Sequence, residues 1–440
     1  MSNADFGSLT IFLFFLLAAA RILGHLFARL RQPKVIGEIL AGVLLGPSLL
    51  GHFAPRVSAV FSLQTGPGQS LQAAAVVAFL YNFGLLLLMF ASGAETKGLF
   101  NREDRRQVAW LGAVGTGLPF LLALCAAYFL PLDLLAGRVT ARTPLLLVVS
   151  IAVAVTSIPV ISKILHDLQI LHTRFARLVL GVAVIEDIVL WAVLAVATAL
   201  AASGSVPQRT IAIHVASSLA YFAFGLLIAP PLLSRLTRAR WNVLAKTSPI
   251  AYVVVVLLAY SALASLVDVS LVFAAFLAGY AIVQEKDLLP GAVASVSEFS
   301  FAVFIPIYFA VVGYKLDLSK TFSLTLLAGF FLFSSTMKLL SAGLGAGLAG
   351  FRVRDSVNLA VALNARGGPG IVLASVAYDA GIINAVFYTT LVLVAVLTSQ
   401  AAGAWLEHVL RSGNPLLSGE TLTGICGENH QIPEVLIPKS

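Results

Sequence analysis

Apolar residues run in blocks of about twenty along this chain, and short polar clusters rich in Arg and Lys separate them. A block of that length is what a helix needs to cross the hydrocarbon of a bilayer. The pattern predicts thirteen spans, near 9–29, 33–50, 72–94, 107–130, 144–163, 174–201, 210–233, 248–267, 269–284, 295–314, 322–348, 355–378 and 382–409. Several are short or interrupted by Gly and Pro. The eighth and ninth are nearly continuous, and Asp268 is where they divide. The expectation is an all-α polytopic membrane protein, with a transmembrane region over 1–410. A short polar tail at 411–440 is expected to be mobile and cytoplasmic.

Composition agrees with the pattern. Of 440 residues, 59% are hydrophobic and 11% are charged, where a soluble domain carries about 25% charged residues. The net charge of +8 does not point to nucleic acid, because the basic residues lie in short loops between spans. Nineteen of them, among them Arg102, Arg105, Arg106, Arg235, Arg238 and Arg240, fall on one set of alternate loops, against six on the other. That asymmetry places the first set in the cytoplasm. An odd number of spans then puts the N-terminus outside and the C-terminus inside. The first run lacks a basic n-region and an A-x-A cleavage site, so it reads as a retained span. Cys125 and Cys426 suggest neither a disulfide framework nor a metal site.

Weak echoes link the two halves. Leu40-Ala41-Gly42 in the second span recurs as Leu277-Ala278-Gly279 in the ninth. Phe90-Ala91-Ser92-Gly93 ends the third span, and Phe309-Ala310-Val311-Val312-Gly313 ends the tenth. The fifth and twelfth spans each hold a mid-span proline, Pro159 and Pro369. The offset is seven helices, an odd number, so the repeats, about 33–201 and 269–409, have opposite orientations in the bilayer.

The chemistry sits in three spans. Glu186 and Asp187 are adjacent inside a run that is otherwise apolar from Leu178 to Ala202. A carboxylate at that depth costs roughly 2.5–3.5 kcal/mol on insertion scales, so lipid packing gives no reason for two of them. The sixth span reads as part of a transporter whose acidic pair meets a small cation and protons. Consecutive residues lie about 100° apart on a helix, so the two carboxylates face different ways. Lys338, deep in the eleventh span, needs a counter-charge or loses its proton, and Glu186 is the candidate partner. Asp187 is then the carboxylate open to a water-filled cavity.

Thr156-Ser157-Ile158-Pro159 interrupts the fifth span, and Asn364-Ala365-Arg366-Gly367-Gly368-Pro369-Gly370 interrupts the twelfth. Pro and Gly break the ladder there, which presents half-helix ends at mid-membrane. Thr156 and Ser157 cover freed backbone groups or offer oxygens to an ion. Arg366 has three readings: a carboxylate partner, a cap on a broken end, or a lining of the cytoplasmic funnel. Glu38 reads as a helix-start cap, Glu298 as a partner of Arg366 or simply wet, and Asn82 as an interhelical hydrogen-bonding group.

The residues from Gln32 to Gly51, containing Gly37-Glu38-Ile39-Leu40-Ala41-Gly42 and Leu45-Gly46-Pro47, closely resemble the opening signature of monovalent cation/proton antiporters. The branch is that of NapA-type Na+/H+ antiporters and the membrane domain of Kef-type K+ efflux systems. Gly84 to Phe90, with Gly93 and Glu95, looks like the next signature. The acid pair, Lys338 and Arg366-Gly367-Gly368 follow in the family's order. The resemblance covers about 30–410. It implies an NhaA/NapA-like fold of thirteen helices with two interrupted, crossing helices. It also implies a homodimer and a core that moves as an elevator. By that resemblance Asp187 binds cation or proton in competition, and Glu186 pairs with Lys338. Three departures stand out: Glu in place of the usual first Asp, no nucleotide-binding domain, and Arg366-Gly367-Gly368 where many members have Arg-Gly-Glu.

The expected activity is secondary active exchange of a monovalent cation, Na+ first, for protons, in the service of pH homeostasis. The rivals are a K+/H+ antiporter or K+ efflux protein, and an organic-ion carrier on the same scaffold. No enzyme activity, cofactor or nucleic-acid partner is expected. The expected location is the inner (plasma) membrane.

Overall fold

The computed structural model describes residues 3–29, 33–53, 71–95, 104–129, 132–139, 141–171, 173–202, 208–267, 269–284, 289, 291–418 and 420. Asp268 and the tail beyond Glu420 lie outside the described residues. The main helices are α1 (Asn3–Arg29), α2 (Lys34–Leu45), α3 (Leu71–Ala94), α4 (Arg105–Phe129), α5 (Arg142–Ala154), α6 (Ile158–Asp167), α7 (Arg174–Ala202) and α8 (208–238). They continue with α9 (Pro249–Leu266), α10 (Leu271–Val283), α11 (Ala292–Lys315), α12 (Leu324–Leu348), α13 (Val353–Leu363), α14 (Gly367–Asp379) and α15 (Ala385–Arg411). Among the described residues ten helical stretches are long and apolar enough to cross a membrane, the broken α5–α6 among them. There are eleven with the pair α13 and α14, which meet at a bend of 42°. Two shorter helices, α2 with 12 residues and α10 with 13, stand at the expected second and ninth positions. No β-strand occurs among the described residues; one isolated bridge joins Ala136 and Ile383.

The chain divides into two compact units. The first comprises Met1–Lys97 and Ala216–Phe322. Four glycines set its packing. A methyl group on Gly42 of α2 would strike the Ala310 carbonyl of α11, and one on Gly313 would strike the Ile39 carbonyl of α2. Gly93 of α3 meets the Phe276 carbonyl of α10, and Gly279 meets the Phe90 carbonyl of α3. In every case the carbonyl belongs to the residue three before the partner glycine. Backbones this close exchange weak Cα–H···O contacts and dispersion, the means by which helices associate where lipid removes the hydrophobic driving force. The register is therefore set by Gly93 and Gly313, one residue away from the Phe-Ala echo in the sequence.

The second unit comprises Gly98–Val215 and Ser323–Ser440. Its apolar centre joins Leu111, Ile161, Phe175, Leu178, Val182, Leu359 and Leu363, all buried. The α4–α5 connection is fastened to the α14–α15 connection: Gly137 N donates to Ile382 O (3.0 Å), Val139 N to Gly381 O (2.9 Å) and Asn384 N to Leu135 O (3.0 Å).

The chain after α15 does not simply leave the unit. Leu416 and Leu417 are buried in the apolar centre. Asp355 Oδ1 accepts from Ser418 N (2.8 Å) and Oγ (2.9 Å), and Asn358 Nδ2 donates to Leu416 O (3.0 Å). Glu420 Oε1 accepts from the N–H groups of Arg174 (2.7 Å) and Phe175 (3.3 Å) at the start of α7. This satisfies donors that have no partner inside the helix and places a negative charge at its positive end. The start of the tail is thus held, where its polar composition suggested a loose end.

Candidate functional site

Two breaks bring the site residues together in the second unit. α5 stops at Ala154, Val155 and Ser157 are extended, and α6 starts at Ile158. Ser157 caps α6 by accepting from Val160 N (3.2 Å). Pro159 is the second residue of α6, where its missing N–H costs nothing. α13 stops at Leu363 and α14 starts at Gly367, so Pro369 also falls in a first turn. Each proline therefore opens a half-helix. Gly367 has φ +38°, and a side chain there would collide with Val160 and Ser157, so both backbone and space demand glycine.

The two broken spans touch at their breaks. Ser157 N donates to Ala365 O (2.7 Å), and the Thr156 hydroxyl donates to Leu363 O. The half-helices would otherwise leave orphaned N–H groups in a dry place. α15 supplies acceptors: Ser399 Oγ takes Gly367 N (3.0 Å), and Thr398 Oγ1 approaches Arg366 N (3.4 Å).

α7 packs against α5, α6 and α13 and carries the acid pair. Lys338 Nζ, on α12, lies 2.8 Å from Glu186 Oε1, and both side chains are 0% exposed. The same ammonium donates to the Ala154 carbonyl, the last of α5. Glu186 Oε1 also accepts from Thr116 Oγ1. Thr116 sits in a π-helical turn, Ala113–Gly117, inside α4. Such turns insert a residue into the helix and re-aim the side chains around it. Glu186 Oε2 makes no hydrogen bond to any described residue.

Arg366 is 2% exposed. Its Nη1 donates to Ser334 Oγ (2.8 Å), and its Nη2 to Asn364 Oδ1 (3.2 Å) and Val153 O (3.4 Å). Of its three readings the geometry selects the cap. The guanidinium lies at the C-terminal end of α5, where the helix dipole favours a cation. It reaches no carboxylate among the described residues.

Asp187 is 0% exposed. A carboxylate open to water was expected; the structure holds the site closed. How exposed a side chain is depends on the packing around it and is not written in the spacing of residues. Four buried formal charges thus share this part of the second unit: Glu186, Asp187, Lys338 and Arg366. They sum to zero when all are ionised.

Other expected accessory residues stand apart. Glu38 belongs to the first unit, buried within the electrostatic reach of Arg21 and Lys34. The start of α2 has no side-chain cap; Glu38 is one turn too far along to provide it. Glu298 is exposed on α11 in the first unit, whereas Arg366 belongs to the second. Asn82 Nδ2 bonds the Ala78 carbonyl of its own helix (2.8 Å) rather than a neighbour. Sequence reasoning missed Thr116, Ser334, Thr398 and Ser399. The one available signal for Thr116 was its place between Gly115 and Gly117 in mid-span.

The description "Sodium/hydrogen exchanger, transmembrane" matches residues 12–412. The chain belongs to this family. Its members are multi-pass membrane transporters, not enzymes. K(+)/H(+) antiporter 1 of Saccharomyces cerevisiae is 28% identical over 410 residues, 89% of this chain and 45% of that protein. Na(+)/H(+) antiporter NhaS4 of Synechocystis is 25% identical over 403 residues, 87% of this chain and 92% of that one. The chain spans about half the length of several curated relatives it matches. The solved structure of the sodium proton antiporter MjNhaP1 from Methanocaldococcus jannaschii at pH 8 superposes with a TM-score of 0.64, covering 92% of this chain and 96% of that one at 13% identity. The fold is shared.

Proposed function

We propose that this chain exchanges a monovalent cation for protons, and that Asp187 binds either ion but never both. The observation that carries the reading is the buried Glu186–Lys338 pair at the crossing of two broken helices, with Asp187 beside it. Lys338 and Arg366 neutralise the C-terminal end of α5 and balance the two acids. One further positive charge on Asp187 leaves the cluster at +1, whether it arrives as a proton or as a metal ion. Thr156 and Ser157 are oxygen donors next to the break, and Glu186 Oε2 is a further free acceptor. Hard cations prefer such oxygen ligands.

Competition for one carboxylate couples the two fluxes without another part. If Lys338 keeps its proton throughout, exchange is electroneutral; if it releases one when the cation binds, exchange is electrogenic. The closed site fits a carrier that opens to one side at a time. Elevator-type movement of the site-bearing unit, a homodimer, a plasma-membrane location and a cytoplasmic C-terminus complete the proposal. The reciprocal glycine contacts support two inverted repeats, about 33–201 and 269–409.

Na+ is proposed first, in line with the family description. A second reading, K+/H+ exchange, is favoured by the similarity to the yeast K(+)/H(+) antiporter. Proteoliposomes carrying a pH-sensitive dye test both. Wild type should respond to Na+ or Li+, and Asp187→Asn should abolish the response. Full activity in Asp187→Asn would overturn the site, and a response to K+ alone would select the second reading.

A further inference from the structure

α7 carries one more polar group on the stripe that holds Asp187. Trp191 lies four residues on and is 4% exposed. Its Nε1 has no hydrogen-bond partner among the described residues. An indole N–H can only donate, and leaving a buried donor unpaired costs stability. Trp405 shows the ordinary outcome: though 40% exposed, its Nε1 donates to Asn358 Oδ1 (3.1 Å). A phenylalanine at 191 would cover much of the same apolar surface with no donor to satisfy, so packing does not explain the indole nitrogen. Helix geometry decides what that nitrogen lies near. Residues four apart share a face, and a helical side chain leans toward the N-terminus, over the turn before its own Cα. The Trp191 ring therefore stands over the turn that bears Asp187. The other residues within one turn on this stripe are Ile188, Leu194 and Ala195, none with a side-chain acceptor, and mid-helix carbonyls are already bonded within α7. Asp187 is the acceptor in reach.

We infer that Trp191 is a positioning residue of the exchange site, and that its indole N–H donates to one Asp187 oxygen when a cation occupies the carboxylate. The inference rests on the reading of Asp187 as the ion-binding group. A carboxylate has about four lone-pair sites, so it receives an N–H and a metal ion together. A donor on an ionised oxygen makes one of the stronger hydrogen bonds. Here it fixes the plane of the carboxylate and turns the second oxygen toward the ion. The bond is not made in the closed structure; rotation of the Asp187 side chain makes it without moving α7. The chemistry of indole suits the task. A lysine here would bring a charge that competes with the cation, and a hydroxyl could itself ligate the ion. The indole nitrogen does neither, since it is neutral and offers no lone pair.

The test uses the full chain in proteoliposomes, titrated with Na+ and separately with K+ at one fixed pH. Trp191→Phe keeps a ring and removes the donor. The KM for the driving ion should rise about tenfold, as a lost hydrogen bond to a charged group does, with the maximal rate within about twofold of wild type. A fall in maximal rate at unchanged KM is what a merely packed ring would give, and it would overturn the assignment. A second readout keeps Trp191 and decides the matter if Trp191→Phe fails to fold. The chain has four tryptophans, and Trp110, Trp241 and Trp405 are each at least 40% exposed. With those three changed to Phe, Trp191 is the single emitter. The ion should move its fluorescence to longer wavelength, saturably and at the concentrations that set KM, because the N–H gains a charged acceptor. Asp187→Asn in that background should abolish the shift. Emission indifferent to the ion, or a shift that survives Asp187→Asn, removes Trp191 from the site. An inactive Asp187→Asn beside either result leaves the ion site standing, whereas an active one removes the site itself.

Discussion

Lys338 is the only cation within 4 Å of Glu186 among the described residues, so removing its ammonium leaves a buried carboxylate uncompensated. Lys338→Ala should therefore destabilise by roughly 3–5 kcal/mol. The double variant Glu186→Gln with Lys338→Ala should recover much of that in apparent melting temperature. Thr116 gives a smaller version of the same argument. Thr116→Val removes one donor to a buried charged oxygen and should cost about 1–3 kcal/mol, while Thr116→Ser should melt like wild type. The acids and Lys338 were legible in the sequence because lipid offers no cheap explanation for a charge. Thr116 and Ser399 were not. A hydroxyl inside a helix ordinarily bonds its own preceding turn, as Ser399 also does with Ala395 O (2.7 Å). Nothing in the residue string separates one that also serves a neighbouring helix.

At the scale of elements, close helix approach replaces side-chain packing in the first unit. Gly279→Ala would drive a methyl group into the Phe90 carbonyl, and backbone cannot swing aside as a side chain can. The expected result is a loss of folded protein, read as a collapsed monodisperse peak in detergent size exclusion. Gly329→Ala, where the added carbon meets nothing within 4 Å, should behave like wild type. The spans themselves were readable from apolar length. The breaks in α5–α6 and α13–α14 were readable from Pro and Gly. What the string could not give was the register: the Phe-Ala echo aligns the halves one residue away from the contacts. Contact is decided by where Cβ is missing, and the surrounding apolar letters are interchangeable.

On the scale of the molecule, the held residues after α15, as far as Glu420, are tied to the start of α7, the helix that bears the acid pair. Leu416→Ala and Leu417→Ala should each destabilise by roughly 2–5 kcal/mol, seen as a lower apparent melting temperature. Ser412→Ala, outside the buried stretch, should have little effect. The tail's composition hid this, because two leucines in a polar stretch do not make a periodic pattern. The four matched charges around Asp187 have a consequence of their own. A divalent ion delivers twice the charge to a cluster that already sums to zero, and the excess would sit where no water screens it. Valence would then be read before ionic radius, and calcium or magnesium would be refused on electrostatic grounds alone.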